Sequence, residues 1–310
     1  MSLIPDSEPL VQMSIPGTHD SAADTCHFCD NNHDKNLDEA WTKCQDMTIT
    51  EQLEAGIRFF DIRVRRVSGN HIHQGDPEPD RQNGWAFAMY HGPVFLRKYF
   101  GRDVLKPVME FLSKYPSEGV LFRMKDEFRA ERGAPEAQQI FAGYRTDFAA
   151  EQILISDTFK GECQLTTMQD LRGKIRVINF GDDKCTSKQD VFEMECKLGM
   201  IDFGPKKASI LKGLQDANNQ PTKPFVTFTS GTTLTPQCLY SVSNILSLLR
   251  LHRLTLTNRA VAVVTNPYAM EELRTIQATN GPGVGIVVMD FPSKDHIKSL
   301  INFNRGYCCS

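Results

Sequence analysis

The chain has 310 residues, 40% of them hydrophobic and 24% charged, the profile of an ordinary globular protein with a sizeable core. Its 35 Lys and Arg against 38 Asp and Glu leave a net charge of −3, which argues against a nucleic-acid partner, since such a partner needs a basic surface. No run of ~18 apolar residues could span a bilayer, and the N-terminus lacks the basic and apolar regions of a signal peptide. A monomer is expected, soluble or peripheral to a membrane: intracellular, or secreted if a leader was removed.

In chain order, apolar and β-branched runs at 13–15, 57–64, 86–90, 120–125, 175–180, 225–229 and 284–290 read as strands. Helix-period segments lie between them. Thr48-Ile-Thr-Glu-Gln52 has the look of a capping box, with Thr48 or Thr50 at the start and an acid or amide soon after. Segment 102–114 puts Val104, Leu105, Val108, Met109 and Leu112 on one stripe and stops at Tyr115-Pro116. Further helices are expected at 135–149, 207–217, 237–252 and 267–279, the last ended by Asn280-Gly-Pro-Gly283. The Leu-rich stretch 245–256 reads as core packing, and 68–83 as a long surface insertion.

This alternation implies β/α units around a mainly parallel sheet, and no linker divides the chain. The expected fold is α/β, a single distorted TIM-type (β/α) barrel over residues 1–310. A doubly wound open sheet is the rival, but it would usually carry a glycine-rich phosphate loop after the first strand, and none is visible.

Nine cysteines cannot all pair. Cys26-His-Phe-Cys29, followed by His33 and Cys44, invites a zinc reading, but the spacing is irregular and no second pair answers it. A local disulfide or free thiols are favoured. The terminal Cys308-Cys309-Ser310 lacks the prenylation form.

Three motifs concentrate chemistry. Ser14-Ile-Pro-Gly-Thr-His-Asp-Ser21 places His19 and Asp20 just past a strand, after a Pro-Gly turn. In Gly56-Ile-Arg-Phe-Phe-Asp-Ile-Arg63, Asp61 and Arg63 alternate with Ile62, so both face the same side of a strand. In Tyr90-His-Gly-Pro93, His91 ends another apolar segment. Two histidines, two carboxylates and an arginine suit in-line attack on a phosphodiester: one imidazole takes a proton, the other gives one, and the guanidinium holds charge between them. The bland alternatives are a turn-capping Asp20, a structural Asp61–Arg63 ion pair and a satisfied loop histidine. His71 and His73 compete with His91, which has the better motif context; Asp182-Asp183 and the hydroxyl-rich stretch 227–235 weigh less.

These motifs, in this order, resemble the X domain of phosphatidylinositol-specific phospholipase C in its bacterial-type, calcium-independent branch. Similarity resumes at Met124-Lys-Asp-Glu127, Gly173-Lys-Ile175 and Gly283-Val-Gly-Ile-Val-Val-Met-Asp290. The resemblance implies His19 as the base that deprotonates the inositol 2-hydroxyl and His91 as the acid that protonates the departing diacylglycerol oxygen. It implies Asp290 as the carboxylate that orients the base and Asp20 as the one that supports the acid. Arg63 stands where calcium-dependent relatives place their metal, so neither metal nor cofactor is expected; Lys125 matches a substrate-pocket lysine. The products would be diacylglycerol and a cyclic inositol phosphate, and the partner an inositol phospholipid at a membrane surface.

The headgroup side departs from the pattern. Phe180 stands where bacterial relatives place an arginine, and Asp202-Phe203-Gly204 lacks the tyrosine of the family's Asp-x-Tyr pair. A modified inositol lipid is therefore a reasonable substrate. Two other functions compete: a metal-dependent glycerophosphodiesterase or sphingomyelinase-D-like enzyme, and a non-catalytic lipid-binding X-domain protein.

Overall fold

The computed structural model describes residues 1–25, 42–69, 79–81, 84–149, 154–155, 167–180, 195–197, 200–231, 258–277 and 282–304. Its frame is a curled sheet, with parallel strands β1 (Ser14–Thr18), β2 (Phe59–Ser68), β5 (Val120–Asp126), β6 (Leu154–Ile155), β7 (Ile175–Phe180), β10 (Val226–Phe228) and β11 (Gly285–Met289) in the order β10-β11-β1-β2-β5-β7-β6. Helices intervene along the chain, so the architecture is a distorted TIM-type β/α barrel, as the alternation implied. Two strands, β3 (Trp85–His91) and β4 (Val94–Tyr99), form an antiparallel extension that the parallel-sheet reading only half anticipated. A separate hairpin pairs β8 (Glu195–Lys197) with β9 (Met200–Asp202).

Strand β2 explains the extension. Its first part runs parallel to β5, from Phe59 opposite Leu121 to Val64 opposite Asp126. It then continues antiparallel to β3, from Val64 opposite Met89 to Ser68 opposite Trp85. Along β2 the faces alternate. Phe60, Ile62 and Val64 pack outward with Phe122, Met124, Leu105 and Val108, which frees Asp61 and Arg63 to face the barrel interior. Phe59 lies in the inner layer with Ile15, Leu121, Phe228 and Val288. Gly17 is required there: a Cβ would come within 2.7 Å of the Phe59 ring, so only glycine lets β1 lie this close to β2.

The helices are α1 (Ile49–Ala55), α2 (Lys106–Lys114), α3 (Ala137–Asp147), α4 (Met168–Leu171), α5 (Gly204–Asn219), α6 (Asn258–Gln277) and α7 (Lys294–Phe303). The expected capping box starts α1: Glu51 N donates to Thr48 Oγ1 and Thr48 N to Glu51 Oε2. A π-helical turn, Gly101–Leu105, precedes α2. Helix α6 corrects the sequence reading, beginning at Asn258 and running through Pro267, where a helix start was expected. Proline deprives the Val263 carbonyl of its helical partner, but Val263 is 68% exposed, so water can take that bond. The expected helix at 237–252 and the Leu-rich stretch 245–256 lie outside the described residues.

Candidate active site

Strand ends gather the chemically interesting side chains. His19 and Asp20 follow β1 directly, Asp290 follows β11, His91 ends β3, and Arg63 stands near the end of the parallel part of β2. The turn after β1 is sharp. Asp20 adopts a left-handed φ of 37°, which sends the two adjacent side chains to different partners. Gln52 of α1 fixes this turn, accepting from Thr18 Oγ1 at 2.7 Å and donating to Ser21 O at 2.8 Å.

His19 Nδ1 lies 2.8 Å from Asp290 Oδ1, and both residues are buried. A carboxylate can only accept, so Nδ1 carries the proton and Nε2 is the basic nitrogen. His91 Nδ1 is 3.0 Å from Thr42 O, which assigns its proton to Nδ1 by the same argument. Asp20 Oδ2 is 3.9 Å from His91 Nδ1, near it but too far for a hydrogen bond. The two imidazole rings stand 6.3 Å apart, centroid to centroid, and nearly perpendicular at 88°. The phenyl ring of Phe228 meets the edge of His19 from another side at 6.1 Å.

Beneath the histidines lies a buried ionic network. Asp61 accepts from Arg63 Nε and from Arg123 Nη1, each at 2.9 Å. Arg63 Nη1 donates to Glu127 Oε1 at 2.8 Å, and Lys125 Nζ lies 3.2 Å from Glu127 Oε2. Burial would raise the Asp61 carboxyl, but Arg63 and Arg123 outweigh it and hold Asp61 well below the usual carboxylate range. Burial acts against the Arg63 charge too, yet Asp61, Glu127 and Asp20 around it push its pKa further up. Arg63 is therefore a permanent, oriented cation.

Asp20 has the opposite balance. Burial raises its pKa well above the ordinary value; Arg63 pulls it down, while Glu127, Asp61 and Asp290 add to the rise. For His91, burial together with the nearby His19 and Arg63 lowers the pKa to about 4. His91 is thus neutral at pH 7. An anion placed between the histidines and Arg63 would raise that value and charge the ring.

A strap at 42–45 runs beneath both histidines. Thr42 O holds His91; Gln45 Nε2 donates to His19 O at 2.7 Å and Met289 O at 3.1 Å. Between them Cys44 is a fully buried free thiol, and burial with the neighbouring Asp290 and Asp20 pushes its pKa well up. Asn258, at the start of α6, donates to Cys44 Sγ and Lys43 O.

The structure brings together His19, Asp20, Arg63, His91 and Asp290, with Lys125 joined to them through Glu127. Asp202 instead stands in the separate hairpin, where Oδ1 accepts from Gly204 N at 2.8 Å. Phe180 ends β7, and its side chain lies outside what is described, as do Cys26, Cys29, His33, His71, His73, Asp182 and Asp183. Sequence reasoning gave no role to Glu127, Arg123, Thr42 or Gln45. Arg123, Lys125 and Glu127 alternate just as Asp61 and Arg63 do, a usable signal for an inward charged face. Thr42 acts through its backbone, which leaves no signature.

The family model for the phosphatidylinositol-specific phospholipase C X domain matches residues 13–179, more than half of the chain. The chain belongs to this family. It is 29% identical over 321 residues to the 1-phosphatidylinositol phosphodiesterase of Listeria monocytogenes, covering 98% of this chain and 84% of that protein. The enzyme of the same name from Staphylococcus aureus is 28% identical over 180 residues, 58% of this chain and 49% of that one. The solved phosphatidylinositol-specific phospholipase C from Listeria monocytogenes superposes with a TM-score of 0.71 at 24% identity, over 98% of this chain and 97% of that chain, a likeness of fold. Within the X-domain family, then, this member carries a perpendicular histidine pair over a buried Asp61–Arg63–Glu127 network. Among the described residues no helix is long and apolar enough to cross a membrane.

Proposed function

We propose that this X-domain protein cleaves inositol phospholipids at the phosphodiester by attack of the inositol 2-hydroxyl, releasing diacylglycerol and a cyclic inositol phosphate. The observation that carries this reading is the pair of imidazoles 6.3 Å apart, each beside its own carboxylate. The Listeria and Staphylococcus relatives are named for the same chemistry.

In this mechanism His19 Nε2 takes the proton of the 2-hydroxyl, and Asp290 steadies the resulting imidazolium through Nδ1. The attacking hydroxyl belongs to the substrate itself, so the step is intramolecular and entropically cheap. Arg63, fixed by Asp61 and Glu127, stabilises the charge that builds on the phosphoryl oxygens. His91 protonates the departing glycerol oxygen. The phosphate brings the negative charge that raises the His91 pKa, and Asp20 supports the charged ring. Because the guanidinium supplies the fixed positive charge, the reaction needs neither metal nor cofactor.

Lys125, which is partly exposed beside Glu127, contacts the headgroup in this reading, with Asp202 from the β8–β9 hairpin and Phe180 from the end of β7 as the further proposed headgroup contacts. Residues 1–310 act as one barrel domain, a monomer that meets its substrate at a membrane surface and has no nucleic-acid partner. The test is turnover of phosphatidylinositol vesicles in excess chelator. Full activity is expected; activity that disappears with the metal would favour the metal-dependent phosphodiesterase, and none on any inositol lipid the non-catalytic reading.

A further inference from the structure

Cys44 lies beside both halves of the acid–base pair. Its Sγ, a carboxylate oxygen of Asp290 and a ring nitrogen of His19 lie within 4.8 Å of one another; so do its Sγ, a carboxylate oxygen of Asp20 and a ring nitrogen of His91. In the first set the carboxylate is already engaged, by the 2.8 Å bond to His19. The second set is different. Asp20 is fully buried, yet neither of its oxygens has a hydrogen-bond partner among the described residues, and His91 stops 3.9 Å short of it. A buried carboxylate without a donor beside a thiol and an imidazole is a donor set for a borderline-soft cation.

We propose that Asp20, Cys44 and His91 form a binding site for a divalent cation of the zinc class, whose occupation switches the enzyme off. A tetrahedral zinc holds its ligand atoms about 3.5 Å apart, so the three atoms, which lie within 4.8 Å of one another, must draw together around the ion. The His91 side chain is 20% exposed, which gives the ion a path in from the mouth of the barrel. On binding, the Cys44 thiol releases its proton to solvent and becomes a thiolate ligand, and the His91 imidazole gives up its Nδ1 bond to Thr42 O, moves that proton to Nε2 and donates the Nδ1 lone pair. No redox change is involved. Inhibition follows because the metal occupies the ring that protonates the leaving group, and that clause alone rests on the function proposed above.

The test measures binding without substrate, so its failure is distinct from failure of the enzymatic reading. Zinc and cadmium are titrated into the full chain carrying Cys26→Ser, Cys29→Ser, Cys308→Ser and Cys309→Ser, which removes the Cys-x-x-Cys and Cys-Cys thiolate pairs. One equivalent should bind, with a thiolate-to-cadmium charge-transfer band in the ultraviolet, and X-ray absorption should give one sulfur at about 2.3 Å beside nitrogen and oxygen scatterers. Adding Cys44→Ser should abolish the band, and Asp20→Asn should weaken binding by at least ~10-fold, while Asp290→Asn should change it little. Absence of a sulfur scatterer in the Cys44-containing protein would overturn the site without relying on any Cys44 variant. Loss of affinity in Asp290→Asn but not in Asp20→Asn would equally overturn it.

Discussion

His19 and Asp290, separated by 271 positions in the chain, meet through a buried 2.8 Å contact between Nδ1 and Oδ1. The parallel pairing of β1 with β11 makes the contact possible: Thr18 is opposite Met289, so the next residue of each strand emerges at the same edge. Asp290→Asn should keep the fold but favour the wrong tautomer of His19, lowering kcat by ~10²–10⁴-fold. Steady-state kinetics beside an unchanged circular dichroism spectrum checks this.

Arg63→Lys should be strongly impaired. Arg63 reaches Asp61 with one nitrogen and Glu127 with another, a planar fork that a lysine cannot reproduce. A fall in kcat/KM of ~10²-fold or more is expected, and near-normal kinetics would show that the transition state does not use the guanidinium.

The charge state of His91 follows from its surroundings. Burial with nearby His19 and Arg63 holds its pKa at about 4, so its NMR signals should titrate there and move upward when a non-cleavable phosphodiester anion binds. The linkage has a definite sign. The unfolded chain takes up this proton near pH 6.5 and the folded chain only near 4, so His91 makes stability fall as pH drops through that window. Asp20, with its raised pKa, works in the opposite direction above its ordinary value. Removing His91 should therefore flatten the acid limb of a denaturation series measured from pH 7 to 4.

Gln45 offers a test of the strap. Its side-chain amide serves the carbonyls of His19 and Met289, all within the buried interior. Gln45→Leu removes the amide donor from His19 O, while Met289 O keeps His19 N, and should cost about 1–3 kcal/mol in urea denaturation, with a loss of activity because the His19 backbone is held less firmly.

Headgroup preference should also depart from the bacterial pattern. The family resemblance sets Phe180 against a charged donor and Phe203-Gly204 against a stacking tyrosine; loss of one charge-assisted contact would be worth ~1.5–3 kcal/mol, roughly a ten- to hundred-fold change in binding. Free myo-inositol should bind poorly and plain phosphatidylinositol should be a mediocre substrate. Specificity constants across a panel of substituted inositol lipids with a free 2-hydroxyl decide it, and a wide preference for phosphatidylinositol would show that other residues compensate.

The histidine motifs were legible in the sequence because each is short and anchored by a strand end. Asp61 and Arg63 were legible because a two-residue alternation fixes which face a charge takes. Strand β4 was missed because Val94–Tyr99 carries Arg97 and Lys98 in its middle, which breaks the apolar pattern. The strap at 42–45 was invisible as a support, because Thr42 works through its carbonyl and Gln45 through contacts with residues far along the chain. The part of α6 from Asn258 to Asn266 was hidden by Pro267, a residue that sequence rules place at a helix start.

The division of labour between the two histidines is best tested with an inositol phosphodiester whose leaving group is a nitrophenol, which departs without needing a proton. His19→Ala and His91→Ala should each lower turnover of the lipid substrate by at least ~10²-fold. On the nitrophenyl substrate, His91→Ala should recover most of its activity while His19→Ala should not. Equal loss for both variants on both substrates would contradict the assignment of base and acid.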